Sequence, residues 1–227
     1  MLHRKWNPNR ILTLVLALAV LLCASQAFAL KWGRGIQGSG DLETREIDVK
    51  GFDEVALHGA FDVDIRVGKK QMLKVTIDDN LWDNLVAEVE DGALDLGWEK
   101  NCRPDDDCRI EITVPDLKAF QLRGAGDVEI EGLDGGSFTF TLSGAGDVDL
   151  HGSVKELTVR LSGAGDIDAR ELKADHVDVK VSGAGDATVY AAQSIEGRVS
   201  GVGNLTYYGD PEERDTHVSG IGSIKRK

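Results

Sequence analysis

The chain has 227 residues, with 39 acidic side chains against 26 basic ones and a formal net charge of −13. That balance argues against nucleic acid or anionic membrane as partners and favours solubility. The 41% hydrophobic content and the length allow one domain with a real core, or two small ones.

The chain opens with Arg4, Lys5 and Arg10, then an apolar run from Ile11 to Leu22, then Ala27-Phe28-Ala29. A basic start, an apolar stretch and a small-x-small pattern predict a signal peptide, residues 1–29, cleaved after Ala29. The apolar run is short of the roughly 20 residues a membrane span needs, although a retained anchor is the other reading of this segment. Cys23 follows Leu22, where a lipoprotein signal has a small residue, so lipidation is set aside. Residues 30–227 are expected as a single domain, periplasmic or secreted to the cell surface. Without the three leader cations it carries about −16, and no second stretch is long enough to be an integral membrane segment.

Residues 41–115 are strand-rich but poorly periodic. "LHGAFDVDI" (57–65) reads as a degenerate copy of a motif that follows, with Phe61 in place of a glycine and Asp62 kept. "AEVEDGALDL" (87–96) reads as a hairpin turning at Asp91-Gly92, and "NLWDNL" (80–85) as one helical turn. Trp32, Trp82 and Trp98 lie outside the repeats and are expected in the core or packed at an end. Cys102 and Cys108 flank Pro104 and three aspartates; an even pair in an exported chain predicts a disulfide. So short a loop contributes only about 2 kcal/mol in the chain-entropy model. Two thiols with no nearby histidine make a poor zinc site.

From 116 to 227 the sequence repeats. Gly124, Gly144, Gly163, Gly183, Gly201 and Gly220 each open a Gly-x-Gly turn at intervals of 18 to 20 residues. Before the turns stand Phe138, Phe140, Leu142; Leu157, Val159, Leu161; and Val177, Val179, Val181. After them stand Val128, Ile130; Val148, Leu150; and Ile167, Ala169. Period-two alternation on both flanks means strands with one buried face. Connectors such as "LDGG", "SVKE" and "LKAD" absorb the length variation. Serine recurs before the turn and alanine within it, and like residues in columns are what stacked parallel coils produce. The expected fold is all-β: a parallel β-helix, right-handed, with coils of about 19–20 residues. Arg214 and Thr216 occupy columns that are apolar elsewhere, which predicts an end cap.

Together, the leader, "FDEVALHGAFDVDI", "VEDGALDL", "ITVPDL" and serial "SGAGDV" resemble the bacterial exported proteins of the head GIN domain family, described as auto-transporter adhesins. The resemblance covers nearly all of the chain after the leader. It implies a β-helical fold in the cell envelope and brings no catalytic residues with it. The membrane-anchoring barrel segment of an autotransporter is missing from the sequence.

His58, His151, His176 and His217 fall at four different repeat positions, so they do not stack into one cluster. Gly-x-Gly here joins strand to strand, whereas phosphate cradling needs a helix N-terminus. Asp127, Asp147, Asp166 and Asp186 form one acidic column; Glu129, Asp149 and Asp168 form a second. Turn bonding is the first reading. Ca²⁺ ligation by Asp127, Asp147, Asp149, Asp166, Asp168 and Asp186, or carboxylate catalysis on a polysaccharide, are the alternatives. An outward column holds Glu131, His151, Arg170, Tyr190 and Tyr208, with the two tyrosines on adjacent coils. Its candidate binding residues are Arg170, Tyr190 and Tyr208; the bland alternative is a stabilising stacked pair. The function expected is a non-enzymatic envelope module that binds a glycan or protein ligand and needs no cofactor, with oligomers allowed. The alternatives are a polysaccharide hydrolase or lyase, or a passive structural module.

Overall fold

The computed structural model describes residues 35–105 and 107–227, so the leader, its cleavage site at Ala29, and Trp32 lie outside the described residues. In the first half the strands are short: β1 (Ile36–Gln37), β2 (Leu42–Ile47), β3 (Glu54–Leu57), β4 (Asp62–Val67), β5 (Met72–Asp78), β6 (Leu85–Glu90), β7 (Ala93–Trp98), β8 (Cys102–Arg103), β9 (Arg109–Val114) and β10 (Ala119–Leu122). In the second half they lengthen: β11 (Val128–Leu142), β12 (Val148–Leu161), β13 (Ile167–Val181) and β14 (Ala187–Val199). The last three are β15 (Val202–Tyr208), β16 (Glu213–Val218) and β17 (Ile221–Arg226). The helical turn expected at "NLWDNL" is a 3₁₀ turn, Asp79–Asn84. Among the described residues no helix is long and apolar enough to cross a membrane.

The regular part is a parallel β-helix of about five turns. Val159 pairs with Phe140 on one side and Val179 on the other, and Val148 with Val128 and Ile167. Each coil has two legs joined by the glycine turn, and the alternating residues of both legs fill a buried interior. Phe120 and Phe140 stack at 5.7 Å between ring centres. Further along, the same column shrinks to Gly197, where a Cβ would come within 2.8 Å of Leu205 Cδ2 on the facing leg. The variable connectors are themselves strand. "LDGG" and "SVKE" lie inside β11 and β12 as paired strand, and their length variation is taken up by register shifts at Ile130/Leu133 and Asp149/Gly152.

The turns explain the two glycines separately. A Cβ at Gly144 would lie 1.7 Å from the carbonyl oxygen of Gly124 in the coil before, so the first position admits no side chain. At Gly165 the backbone takes φ +137° as well, a conformation that side chains rarely allow. The serines before the turns return their hydroxyls to backbone: Ser143, Ser162 and Ser182 Oγ each donate to a leucine carbonyl of the preceding coil at 3.3 Å.

Residues 41–115 join the same structure, but out of order. β3 and β4 form a coil whose Ala60 and Val63 pair with Ala125 and Val128, as the degenerate motif predicts. The next coil outward is built from later residues: β7 pairs parallel with β3, and β9 parallel with β4. The chain therefore makes one coil, adds another outside it, and returns past both to begin β10. Antiparallel strands then cover the outer coil, with β6 on β7, β5 on β9 and β2 on β5. The β6–β7 hairpin turns at Asp91-Gly92 with φ of +50° and +86°, the type I′ signature. Trp98 packs on Phe61 at 4.9 Å.

Two further features hold this end together. The fully buried carboxylate of Asp78 accepts the Gly40 amide at 2.7 Å and the Asp105 amide at 3.2 Å. The cysteine-bearing stretch 99–108 occupies the place a glycine turn holds in other coils. Cys102 and Cys108 are not joined by a disulfide here, contrary to the sequence expectation. Each end of the stretch is held by its own ladder: the Arg103 carbonyl accepts the Gly38 amide at 2.8 Å, and the Cys108 carbonyl accepts the Asp62 amide at 2.9 Å. Burial pushes the Cys108 thiol up to about 12, reinforced by the charges of Asp78, Asp107 and Asp62. The half-buried Cys102 thiol is also raised, chiefly by burial.

Candidate functional site

Tyr190 and Tyr208 are register partners on β14 and β15, so their rings stand one strand spacing apart, about 4.8 Å at the backbone. Arg170 is not the direct neighbour of Tyr190, as sequence offset had suggested. A register shift between Ala169 and Lys173 bulges β13 and sets Lys173 opposite Tyr190. The Lys173 ammonium lies 4.4 Å from the centre of the Tyr190 ring, and the Arg170 guanidinium reaches across to Tyr208 at 5.2 Å. Asp168 fixes Arg170: its carboxylate accepts the Arg170 amide at 2.9 Å and contacts the guanidinium at 3.2 Å. Each such cation–π contact is worth about 0.5–1 kcal/mol at an exposed site. The result is a small cluster of two rings and two cations on the outer face of the coils. Lys173 could not be found from sequence, because its partner depends on the bulge.

The neighbouring column runs Asp64, Glu129, Asp149, Asp168, Thr188, Thr206, Lys225. The leg is thus acidic in its early coils, neutral beside the tyrosines and basic at the last coil. On a chain of net charge −13 this makes the tyrosine end the exception.

The turn column of aspartates forms a continuous chain of hydrogen bonds. Asp62, Asp127, Asp147 and Asp166 each accept, through Oδ1, the backbone amide of the next aspartate at 2.9–3.1 Å. Asp186 accepts the amide of Asn204 at 2.7 Å, and Asn204 in turn accepts the Ser223 hydroxyl at 2.8 Å. A hydrogen bond to a charged acceptor is worth about 1.5–3 kcal/mol. Like-charge repulsion between exposed neighbours costs about 1 kcal/mol in water. The ladder therefore stands without a cation. The aspartates named as an alternative Ca²⁺ set do not converge: among the described residues no group of three or more His, Cys, Asp or Glu is arranged to hold a metal ion.

A shallow groove of about 600 Å³ lies on the other leg, lined by Glu156, His176, Asp178, Ser194, Glu196 and Glu213 among others. His176 Nδ1 and Ser194 Oγ are 2.8 Å apart there, a pairing that the sequence reading did not anticipate. No carboxylate is paired with His176 among the described residues, and the flanking backbone amides belong to the parallel ladder. His151 pairs with Glu171 and His58 with Asp95, each at 3.3 Å and on separate surfaces.

The family model described as "Putative auto-transporter adhesin, head GIN domain" matches residues 51–211. A crystal structure named a "putative adhesin" from Bacteroides fragilis is 28% identical, with TM-score 0.70, covering 85% of this chain and 100% of its own. A "putative lipid binding protein" from Parabacteroides distasonis is 25% identical with TM-score 0.48, covering 86% and 100%. A "putative adhesin" from Parabacteroides merdae is 19% identical with TM-score 0.45, covering 85% and 99%. No curated protein sequence matches this chain.

Proposed function

This chain belongs to the head GIN domain family, and from that premise we propose that it is a non-enzymatic, exported binding module that holds a ligand at Tyr190 and Tyr208. The family's description and the Bacteroides fragilis structure support an adhesive role in the cell envelope. The observation that carries the reading is the cluster itself: two rings at fixed strand spacing, each contacted by a cation, on a rigid parallel sheet. A surface ordered before the ligand arrives loses less entropy on binding. Tyrosine rings with hydroxyls, next to Thr188 and Thr206, offer stacking and hydrogen bonds of the kind a sugar or a peptide uses.

The test is a glycan and peptide array on the purified protein, followed by variants against any ligand found. Tyr190→Ala with Tyr208→Ala should weaken binding at least tenfold, about 1.4 kcal/mol, with the circular dichroism spectrum intact. Asp147→Asn with Asp166→Asn should leave affinity unchanged. Binding lost with the aspartates and kept without the tyrosines would move the site to the turn column.

A further inference from the structure

The two ends of the β-helix are finished differently. At the β7–β9 end, both legs of the outer coil are covered by antiparallel strands of the same chain. At the other end, β16 pairs only with β14 and β17 only with β15, leaving one backbone edge on each leg without a strand partner among the described residues. The interior of this last coil is closed by charge: Arg214 and Arg226, one from each leg, both reach Asp210 at 2.8 Å. Charged groups at the end of the interior columns keep a further parallel coil with an apolar interior from stacking on. Yet Val218 and Ile221 are exposed beside the turn, Ile221 at 76%.

The outward charges of the two edges are sorted by sign. Arg214, Thr216 and Val218 continue interior columns, which leaves Glu213 and Asp215 pointing outward on β16. Ile224 and Arg226 continue interior columns on the other leg, which leaves Lys225 and then Lys227 outward. Glu213, Lys225 and Lys227 form no ion pair among the described residues, and Asp215 has only a 3.9 Å contact with Arg198. An acidic edge and a basic edge on one coil are complementary to the same coil turned over. A two-fold axis in the plane of the last coil, bisecting its legs, lays β17 of each copy antiparallel against β16 of the other. In one register Asp215 then faces Lys225 and Glu213 faces Lys227, both pairs on the outer side; on the inner side Thr216 faces Ile224, and Arg214 faces Arg226, each arginine already bonded to the Asp210 of its own copy. The pairing of β16 with its own copy would instead set its acidic edges together.

The geometry points to a closed homodimer formed end to end through β16 and β17, with a second copy of this chain as the strand partner. The interface is isologous, because the same two edges are used by both copies. It does not propagate into fibres, because the two-fold pairing uses both free edges of the last coil in each copy.

The experiment is sedimentation analysis of the full chain across a dilution series, with circular dichroism to verify folding. The unaltered protein should be a dimer that dissociates on dilution and in high salt. Glu213→Lys with Asp215→Lys, and separately Lys225→Glu with Lys227→Glu, should each raise the dissociation constant at least tenfold. Mixing the two variants should restore a dimer, since each acidic edge again meets a basic one. A monomer at every concentration would overturn the proposal, as would a dimer indifferent to both reversals or variants that fail to rescue each other. Ligand binding is read on the Glu213→Lys with Asp215→Lys variant, because β16 lies on the other leg from Tyr190 and Tyr208.

Discussion

The regular coils and the end built from residues 41–115 use the same parallel ladder but secure it in opposite ways. In the coils each layer repeats the one before, and the glycine turn brings backbones close enough for direct turn-to-turn hydrogen bonds. Ala145 donates to Gly124 and Ala164 to Gly144, each at 2.9 Å. At the other end the turn is long and carries Trp98, Cys102 and Cys108, and closure comes from unlike parts: a buried carboxylate, an aromatic stack and antiparallel strands. Repetition makes the coils interchangeable. The capped end has no interchangeable part, since β7 and β9 between them pair with β3, β4, β5 and β6.

Deletion should show the contrast most strongly. Removing Gly144 through Ser162 takes out one coil and joins Ser143 to another glycine, so the columns stay in register. The shortened protein should remain a folded β protein with a cooperative melt. Removing Ala93 through Val114 takes away β7, β8 and β9, strips β3, β4, β5 and β6 of a partner each, and should abolish the melt. If both deletions unfold, the coils are not independent layers.

Point changes in the turns come next. Gly165→Val places a branched side chain where a Cβ alone would lie 2.0 Å from the Gly146 carbonyl oxygen, and should cost about 4 kcal/mol or more. Gly136 has nothing within 4 Å of the same position, so Gly136→Ala should stay within about 0.5 kcal/mol in a urea titration. Equal costs at the two positions would remove the packing explanation for the repeat.

Two aspartates make a finer comparison. Asp78→Ala leaves the Gly40 and Asp105 amides without their acceptor in a buried setting and should cost about 1–3 kcal/mol. Asp147→Asn keeps an acceptor oxygen on an exposed turn and should cost less than about 0.5 kcal/mol by the same titration. A larger loss at Asp147 would mean that its charge is needed.

The smallest effect concerns the thiols. With Cys108 raised to about 12, its thiolate is scarce at pH 8, and iodoacetamide should modify Cys102 first. A raised thiol favours the folded state below the ordinary thiol range near 9, and that contribution is lost as pH climbs toward 12. Hydrogen exchange in β9 should therefore speed up over that interval while β12 and β13 remain protected. Mass spectrometry under non-reducing conditions that found Cys102 linked to Cys108 would show that the turn closes further than it does here.

The repeat was legible because its constraint is local. A glycine that must lie under a carbonyl of the previous coil has to recur once per coil, and Ser143, Ala145 and Asp147 recur with it. The strand alternation, the Asp91-Gly92 hairpin and the degenerate coil at Gly59–Asp62 could be read for the same reason, as could the polar interior of the last coil at Arg214 and Thr216. The tyrosine pair followed from repeat spacing alone, because no bulge separates β14 from β15 at that point.

Only the tertiary structure decided where the coil of residues 93–114 sits, because parallel pairing joins segments far apart in the chain and "GWEKNCRPDDDC" carries no repeat mark to place it. It also decided that Lys173 and not Arg170 lies opposite Tyr190, since one bulge in β13 shifts every partner beyond it. And it left the cysteines unbonded, each end of their stretch held by a different ladder, where an even pair in an exported chain had suggested a bond.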